Sequence, residues 1–420
     1  MSASTTRDDG EASASYTSDI TVQRPIEPPP PRARATGRRA RRSRRRALLT
    51  LAVRMLLHDR LKLAGILVGV VFATVLAGQQ AGTFLGLLRK NTMFVANAGA
   101  DIWIMPPSTR QFQAGDTISD AALTRARAVA GVAWAAPLWL GGATIKLPQG
   151  GAEQVQLVGI DMSRRAGGPW NLVGGDVSKL ALPDAMVFED AERERLGGLN
   201  IGSLREINGH RVRVVGFTWG LLPFGPSYAF ASERLAREVL KVEQHRLSYV
   251  MVGASAGVAP DALAKRLQRQ LANVKVITRE SFIRNTVSYV LLRTPIGVTF
   301  GSSALFGLLV GLVIVGLTMF SAVVDNVREF GTLKAIGARN GDLALLLVGQ
   351  AIAVALVGAL IGLAIVGRIA TAVRSPKLAL DLPWPVLATL VVVMILLCVV
   401  ASLLALSRVR RLEPGLVFRG

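Results

Sequence analysis

Few side chains in this sequence have both the type and the spacing that catalysis needs. His58, His210 and His245 stand apart from one another, with no HExxH or comparable metal-ligand spacing, and each reads as an ordinary surface or core histidine. The stretch FEDAERERLG (188–197) gathers four acids and two arginines. Their alternation predicts the solvated face of a helix in preference to a catalytic carboxylate pair. GGDVSK (174–179) lacks the GxxxxGK[ST] spacing that cradles a nucleotide phosphate, and that loop occurs nowhere in the chain. No GxSxG marks a serine nucleophile. The single cysteine, Cys398, permits neither an intrachain disulfide nor a cysteine metal cluster. These residues point away from an enzyme.

Phosphate-directed chemistry is concentrated near one end. The net charge is +21, and residues 31–46, PRARATGRRARRSRRR, carry nine arginines and no acid. Such a block can clamp nucleic-acid phosphates. It also suits a disordered cytoplasmic tail held at an anionic bilayer surface. An apolar run follows closely, which favours contact with membrane lipids, so no nucleic-acid partner is expected. A membrane-tethered nucleic-acid binder is the weaker alternative. The preceding Ser-, Thr-, Ala- and Pro-rich residues cannot bury a core and are expected to be disordered.

Hydropathy sets the elements around these residues. Runs at 63–88, 294–324, 343–367 and 382–407 contain no Asp, Glu, Lys, Arg or His. Each exceeds the roughly 20 apolar residues that cross a hydrocarbon core of about 30 Å, and a spanning segment must satisfy its own backbone as a helix. The first 46 residues lack an apolar h-region, so the first run is expected to remain as an anchor. With the arginine tail inside, four spans return the C-terminus to the cytoplasm, where Arg408, Arg410, Arg411 and Arg419 agree.

The expected fold class is an integral membrane α-helical protein with four transmembrane helices and a large α+β extracytoplasmic domain inserted between helices 1 and 2. The expected divisions are a basic tail at 1–46, a juxtamembrane helix with the first span at 47–88, the extracytoplasmic domain at 89–293, and three further spans at 294–420 with a cytoplasmic connection at 325–342. Within the inserted domain ADIWIMP, GATIKL, EQVQLVGI, AMVFED, HRVRVVGF, YAFAS, SYVMVGA and VKVIT read as strands, and 260–274 as a surface helix. Its flanks at 83–98 and 280–292 read as stalk helices continuous with the spans. In the spans, small-residue pairs four apart (Gly65/Gly69, Gly78/Gly82, Gly307/Gly311 and Gly358/Gly362) favour close helix packing or dimer formation. The absence of charge in the spans argues against a proton-coupled carrier.

The connection at 325–342 is unusual for a turn. Val327, Phe330, Leu333 and Ile336 recur every three residues and sweep out a broad apolar side, with Asp325, Arg328, Glu329, Thr332 and Arg339 largely opposite. Lys334 sits near the apolar edge. Gly331 and Gly337 each weaken a helix by about 1 kcal/mol relative to alanine. Such a helix could lie on the headgroups or dock into a groove on a cytoplasmic partner.

VREFGTLKAIGAR (327–339) resembles the signature of FtsX-like permeases, the membrane subunits of a class of ATP-binding-cassette systems. Arg328, Glu329, Gly331, Leu333, Lys334, Ala335, Ile336, Gly337 and Ala338 fit that signature. The layout of one span, a large external domain and three further spans is similar too. NIGSLREINGHRVRVVGF (200–217) is similar to the external domain of the MacB-like branch, and LLHDRLKLAGILVGVVFA with ADIWIMPPS resembles DevC-type exporters more closely. The resemblance covers about 47–420. It implies a homodimer in the bacterial inner membrane with both termini cytoplasmic. Each copy would dock a cytoplasmic ATPase through 327–338, and ATP and Mg would be bound by that partner, leaving this chain without a cofactor. It further implies a periplasmic adaptor and an outer-membrane channel that together expel a substrate. Lipoprotein release, or regulation of cell-wall hydrolases, is the alternative within the superfamily.

Overall fold

The computed structural model describes residues 60–223, 225–325, 327–372 and 380–409. The arginine tail, His58, and the basic residues Arg374, Lys377, Arg410, Arg411 and Arg419 lie outside the described residues.

The first helix, α1 (Arg60–Asn97), is 38 residues long. At about 1.5 Å per residue it exceeds what a bilayer core requires, so its outer end carries the chain beyond the span as a stalk. No proline interrupts it, which leaves span and stalk as one rod.

The inserted domain then runs β1 (Ile102–Met105), β2 (Ile118–Ser119), α2 (Ala121–Arg127), β3 (Val132–Lys146), β4 (Ala152–Ile160), β5 (Leu172–Gly175) and β6 (Ala185–Glu189). It continues through β7 (Leu204–Ile207), β8 (His210–Thr218), β9 (Ser227–Ser232), α3 (Glu233–Leu240), β10 (Arg246–Leu247), β11 (Tyr249–Ala254), α4 (Pro260–Gln270) and β12 (Lys275–Thr278). The main sheet has the order β12-β1-β11-β3-β4-β9-β6-β8-β5, and β7 bridges β3 and β8. That bridge closes β3, β4, β9, β6, β8 and β7 into a ring. The 15-residue β3 serves both halves: its first part pairs with β11 and its second with β4. Pro137, which cannot donate to a ladder, sits at the handover, one residue before β4 begins to pair at Leu138.

The two faces of the sheet have different covers. Ala122 and Ala126 of α2, Leu235 and Val239 of α3, and Leu263 and Leu267 of α4 bury one face. The other face receives Phe94, Val95 and Ala98 from α1 and Phe282 from α5 (Arg279–Arg293). All eight expected strand segments are present, within longer elements in some cases. The helix expected at 260–274 is α4, ending at Gln270.

Beyond α5 come α6 (Pro295–Asp325), α7 (Val327–Ala335), α8 (Asn340–Ala372) and α9 (Trp384–Val409). Helices α1, α6, α8 and α9 are long and apolar enough to cross a membrane, which makes this a multi-pass membrane protein with the α+β domain inserted between its first and second spans. The stalk at 280–292 is helical but is not continuous with its span. Thr294 is extended (φ −114°, ψ 151°) between α5 and α6, because the ring of Pro295 disfavours helical backbone in the residue before it. Gly297 lies so close to the Leu291 carbonyl that a side chain there would collide with it. One stalk is therefore a rigid extension of its span, and the other meets its span at a joint.

Candidate coupling site

Helix α7 starts two residues after α6 ends and leads directly into α8. Its exit is a glycine-dependent closure. Gly337 N–H donates to Lys334 O (3.0 Å) and Ala338 N–H to Leu333 O (2.9 Å). That pair of bonds requires a left-handed residue between them, and Gly337 provides it at φ +100°. Arg339 N–H donates to Asp342 Oδ2 (3.0 Å), and Asp342 N–H donates to Arg339 O (2.8 Å). Asp342 thereby satisfies a backbone donor at the start of α8. The result is a tight four-residue link, not a loose loop.

The apolar side read from the spacing does not act as one face. Leu333 packs onto Leu343, Leu346, Leu347 and Ala405 of α8 and α9, whereas Ile336 is 85% exposed. Every third position drifts by about 60° around a helix of 3.6 residues per turn, and α7 ends at Ala335, so Ile336 rides on the closing turn. Glu329, Lys334, Ala335 and Gly337 are exposed, while Gly331 and Ala338 are half-buried. The side chains of Val327, Arg328 and Phe330 lie outside the described residues. Among the described side chains the site thus offers one exposed large aliphatic, Ile336, flanked by charge, on a turn that follows the packed Leu333. The Leu333 receptor was missed in the sequence, although its signal, apolar residues at 343, 346 and 347, is present there.

The glycines of the spans occupy different situations. A Cβ on Gly358 would lie 2.6 Å from Val70 Cγ1, one on Gly362 2.7 Å from Thr74 Cβ, and one on Gly311 2.7 Å from Ala73 Cβ. Helices α6 and α8 therefore both close onto the same turn of α1. Gly307 has no atom within 4 Å of where its Cβ would be.

The outer end of α1 enters an aromatic cluster. Phe94 stacks on Phe112 (centroids 4.2 Å, 9°) and meets Trp103, Tyr228 and Trp170 at 6.4, 5.4 and 5.8 Å. Trp103 lies edge-on to Phe282 of α5 at 5.7 Å. Its buried Nε1–H has no hydrogen-bond partner among the described residues. Tyr249 O–H donates to Gln113 O (2.8 Å), and burial pushes this phenol up to about 12. Burial also raises the Tyr228 phenol. Both stalks are thus packed against the sheet through one aromatic cluster.

FEDAERERLG is not a solvated helix. Glu189 ends β6, and only Asp190–Glu192 form a short 3-10 turn. Glu189 is fully buried and Glu192 nearly so. Thr218 Oγ1 (2.9 Å), Gly220 N–H (2.6 Å) and Leu221 N–H (3.0 Å) all donate to the Glu189 carboxylate, while Arg195 bridges Glu192 and Glu153. Burial raises the Glu189 pKa, and the three hydrogen bonds partly oppose it. These charges are structural ties, and the alternating pattern concealed their partners. His245 pairs with Asp120 (2.8 Å) at an exposed site. No group of His, Cys, Asp or Glu suited to a metal is found among the described residues.

Comparison with known proteins follows this division of the chain. A family profile described as the MacB-like periplasmic core domain matches residues 61–270, and one described as the FtsX-like permease C-terminal matches residues 301–414. The first spans half of the chain, and the chain belongs to the FtsX/MacB-like permease family, the non-catalytic membrane components of ABC transport systems. The inserted domain is similar to the periplasmic region of MacB from Actinobacillus actinomycetemcomitans, at 12% identity and TM-score 0.36, covering 46% of this chain and 95% of that one. It is also similar to the extracellular domain of the ABC-type transporter YknZ from Gram-positive bacteria, at 15% identity and TM-score 0.32, covering 42% of this chain and 98% of that one. No curated protein matches the chain.

Proposed function

We propose that this permease docks a separate cytoplasmic ATPase through α7 and its closing turn, and that ATP-driven movement there is carried to the inserted domain to expel a substrate. The observation that carries this reading is the exposed Ile336 on a hydrogen-bonded, glycine-closed link between two spans. A load on that turn acts on α6 and α8 together. Both helices close onto α1 through Gly311, Gly358 and Gly362, and α1 runs unbroken into the aromatic cluster of the domain. The joint at Thr294–Pro295 allows α6 to tilt while α5 stays with the sheet. Substrate need not pass between the spans, which is consistent with their uncharged runs.

In this reading both termini are cytoplasmic and the protein works as a homodimer. The open surface beside Gly307, with Leu305, Phe306 and Leu309 exposed, offers a face for the second copy. The resemblance to DevC-type exporters adds a periplasmic adaptor and an outer-membrane channel as partners. Gentle solubilisation of the tagged full-length chain, followed by mass spectrometry of what co-purifies, tests the proposal. A stoichiometric chain bearing GxxxxGK[ST] is the expected companion. Its absence under several mild detergents would overturn the reading, and an ATPase without adaptor or channel would favour lipoprotein release or hydrolase regulation over export.

A further inference from the structure

A polar side chain of the first span is turned outward. Between residues 63 and 88 of α1 the exposed positions are Ala64, Gly65, Val68, Phe72 and Gln79. The remaining positions are buried or half-buried, with α6 and α8 as the principal neighbours. At about 1.5 Å per residue, Gln79 stands about 24 Å from one end of this uncharged run and about 14 Å from the other. A hydrocarbon core of roughly 30 Å, placed anywhere within the run, therefore encloses it. Among the described residues its amide has no hydrogen-bond partner, and lipid tails offer none. An amide at that depth is costly unless a neighbour satisfies it. Gln350 of α8, by contrast, is buried inside the bundle.

The outward positions follow a pattern. Leu61, Gly65, Val68, Phe72, Val75 and Gln79 are spaced four and three residues apart in turn, which is the 3.5-residue seam of a left-handed coiled coil. Val75 is half-buried and the other five are exposed. Gly65 has no atom within 4 Å of where its Cβ would be, which leaves room for a second backbone. Copies of one chain insert in the same direction, so a twofold axis between them stands along the membrane normal and sets like-numbered residues opposite each other. Gln79 then faces a second Gln79 at its own depth. A primary amide both donates and accepts, so the two bond reciprocally. A single polar residue in an apolar seam fixes register and the number of helices. A face made only for lipid needs no such group.

We propose that α1 pairs with α1 of a second copy along the seam at 61–79, with Gln79 bonded to its counterpart across the twofold axis. This rests on the homodimer of the proposed function and names the contact that sets its register. The occupant of the seam is a second copy of this chain, because that partner brings a complementary amide to the required depth.

The chain's single cysteine makes the test specific. In a Cys398→Ala background, Val68→Cys, Phe72→Cys and Gln79→Cys are oxidised in native membranes. Leu360→Cys on α8, Val392→Cys on α9 and Phe306→Cys on α6, all at exposed positions, are the comparisons. Disulfide-linked dimer is expected at 68, 72 and 79 and not at 360 or 392. Equal yields at the seam and at 360 and 392 would report random collision and overturn the pairing. Dimer at 306 without dimer at 72 and 79 would overturn it while leaving the homodimer in place. A chain that stays monomeric by single-molecule photobleaching would remove the homodimer as well. A disulfide adduct of another mass at 79 would give the seam to a different membrane helix and overturn the proposal. The amide is tested without a cysteine, by energy transfer between labelled copies diluted into lipid. Gln79→Leu should dimerise about tenfold more weakly than the wild type, with Gln79→Asn in between. Wild-type dimerisation of a folded Gln79→Leu would overturn the role of Gln79.

Discussion

Replacing Ile336 with Asp, on the turn that closes α7, separates docking from folding in a way that a change at Leu333 does not. Full burial of an isoleucine side chain is worth about 1.5–3 kcal/mol, and with 85% of Ile336 exposed most of that remains available to a partner. Its loss should weaken ATPase docking roughly ten- to a hundredfold, since each 1.4 kcal/mol is a factor of ten. Burying the new carboxylate moves the effect toward the upper end. The permease itself should hardly notice, because Ile336 contributes little to its own core. The assay is titration of the co-purified ATPase against the permease in nanodiscs, with thermal melting of each permease variant alongside. Leu333→Asp is the contrast, expected to lower the melting temperature and weaken docking together through its packing on Leu343, Leu346 and Leu347. If Ile336→Asp docks the ATPase with wild-type affinity, the turn is not the coupling contact and the argument from exposure fails.

Further outcomes follow from the same geometry. Glu189 has a folded pKa raised by burial, so its stabilising contribution is full below the ordinary carboxylate range and is lost as pH rises through the folded value. Melting curves across that range should slope downward with pH in the wild type and flatten in Glu189→Gln; an identical slope would assign the effect to another group. Gly362→Val crowds Thr74 and the Val71 carbonyl, and overpacking of this kind costs about 1–3 kcal/mol, which a lowered melting temperature in detergent would register; Gly307→Val, in open space, should leave the monomer unchanged. Phe94→Ala empties the centre of the aromatic cluster, at a cost of about 3–5 kcal/mol, and proteolysis should then release the inserted domain from its stalk faster than in the wild type.

Local chemistry settles much of this protein before any tertiary contact is known. Long uncharged runs must leave water, and in lipid only a helix satisfies the backbone, so the four spans were legible from hydropathy alone. Val, Ile and aromatic content bounded by Gly, Pro and Asn marked eight strand segments. The stalk at 280–292 reads in sequence as continuous with its span, although the cause of the break, the clash of the Pro295 ring with Thr294, is local. What depended on distant residues was not legible. Ring closure by β7 rests on a pairing between Ile145 and Ile207, sixty-two positions apart. Glu189 looks like a surface charge until Thr218, Gly220 and Leu221 arrive some thirty residues later to satisfy it. Leu333 and Ile336 are both strongly apolar, yet one is half-buried and the other exposed because Leu333 has a receptor on α8 and α9 to pack against. Gly307 and Gly358 share a sequence pattern, but of the two only Gly358 has a neighbouring side chain, that of Val70, pressed against it. Partition into lipid and backbone conformation are properties of a segment. Burial of a charge, closure of a sheet and exposure of a docking residue are properties of pairs, and only the folded chain brings those pairs together.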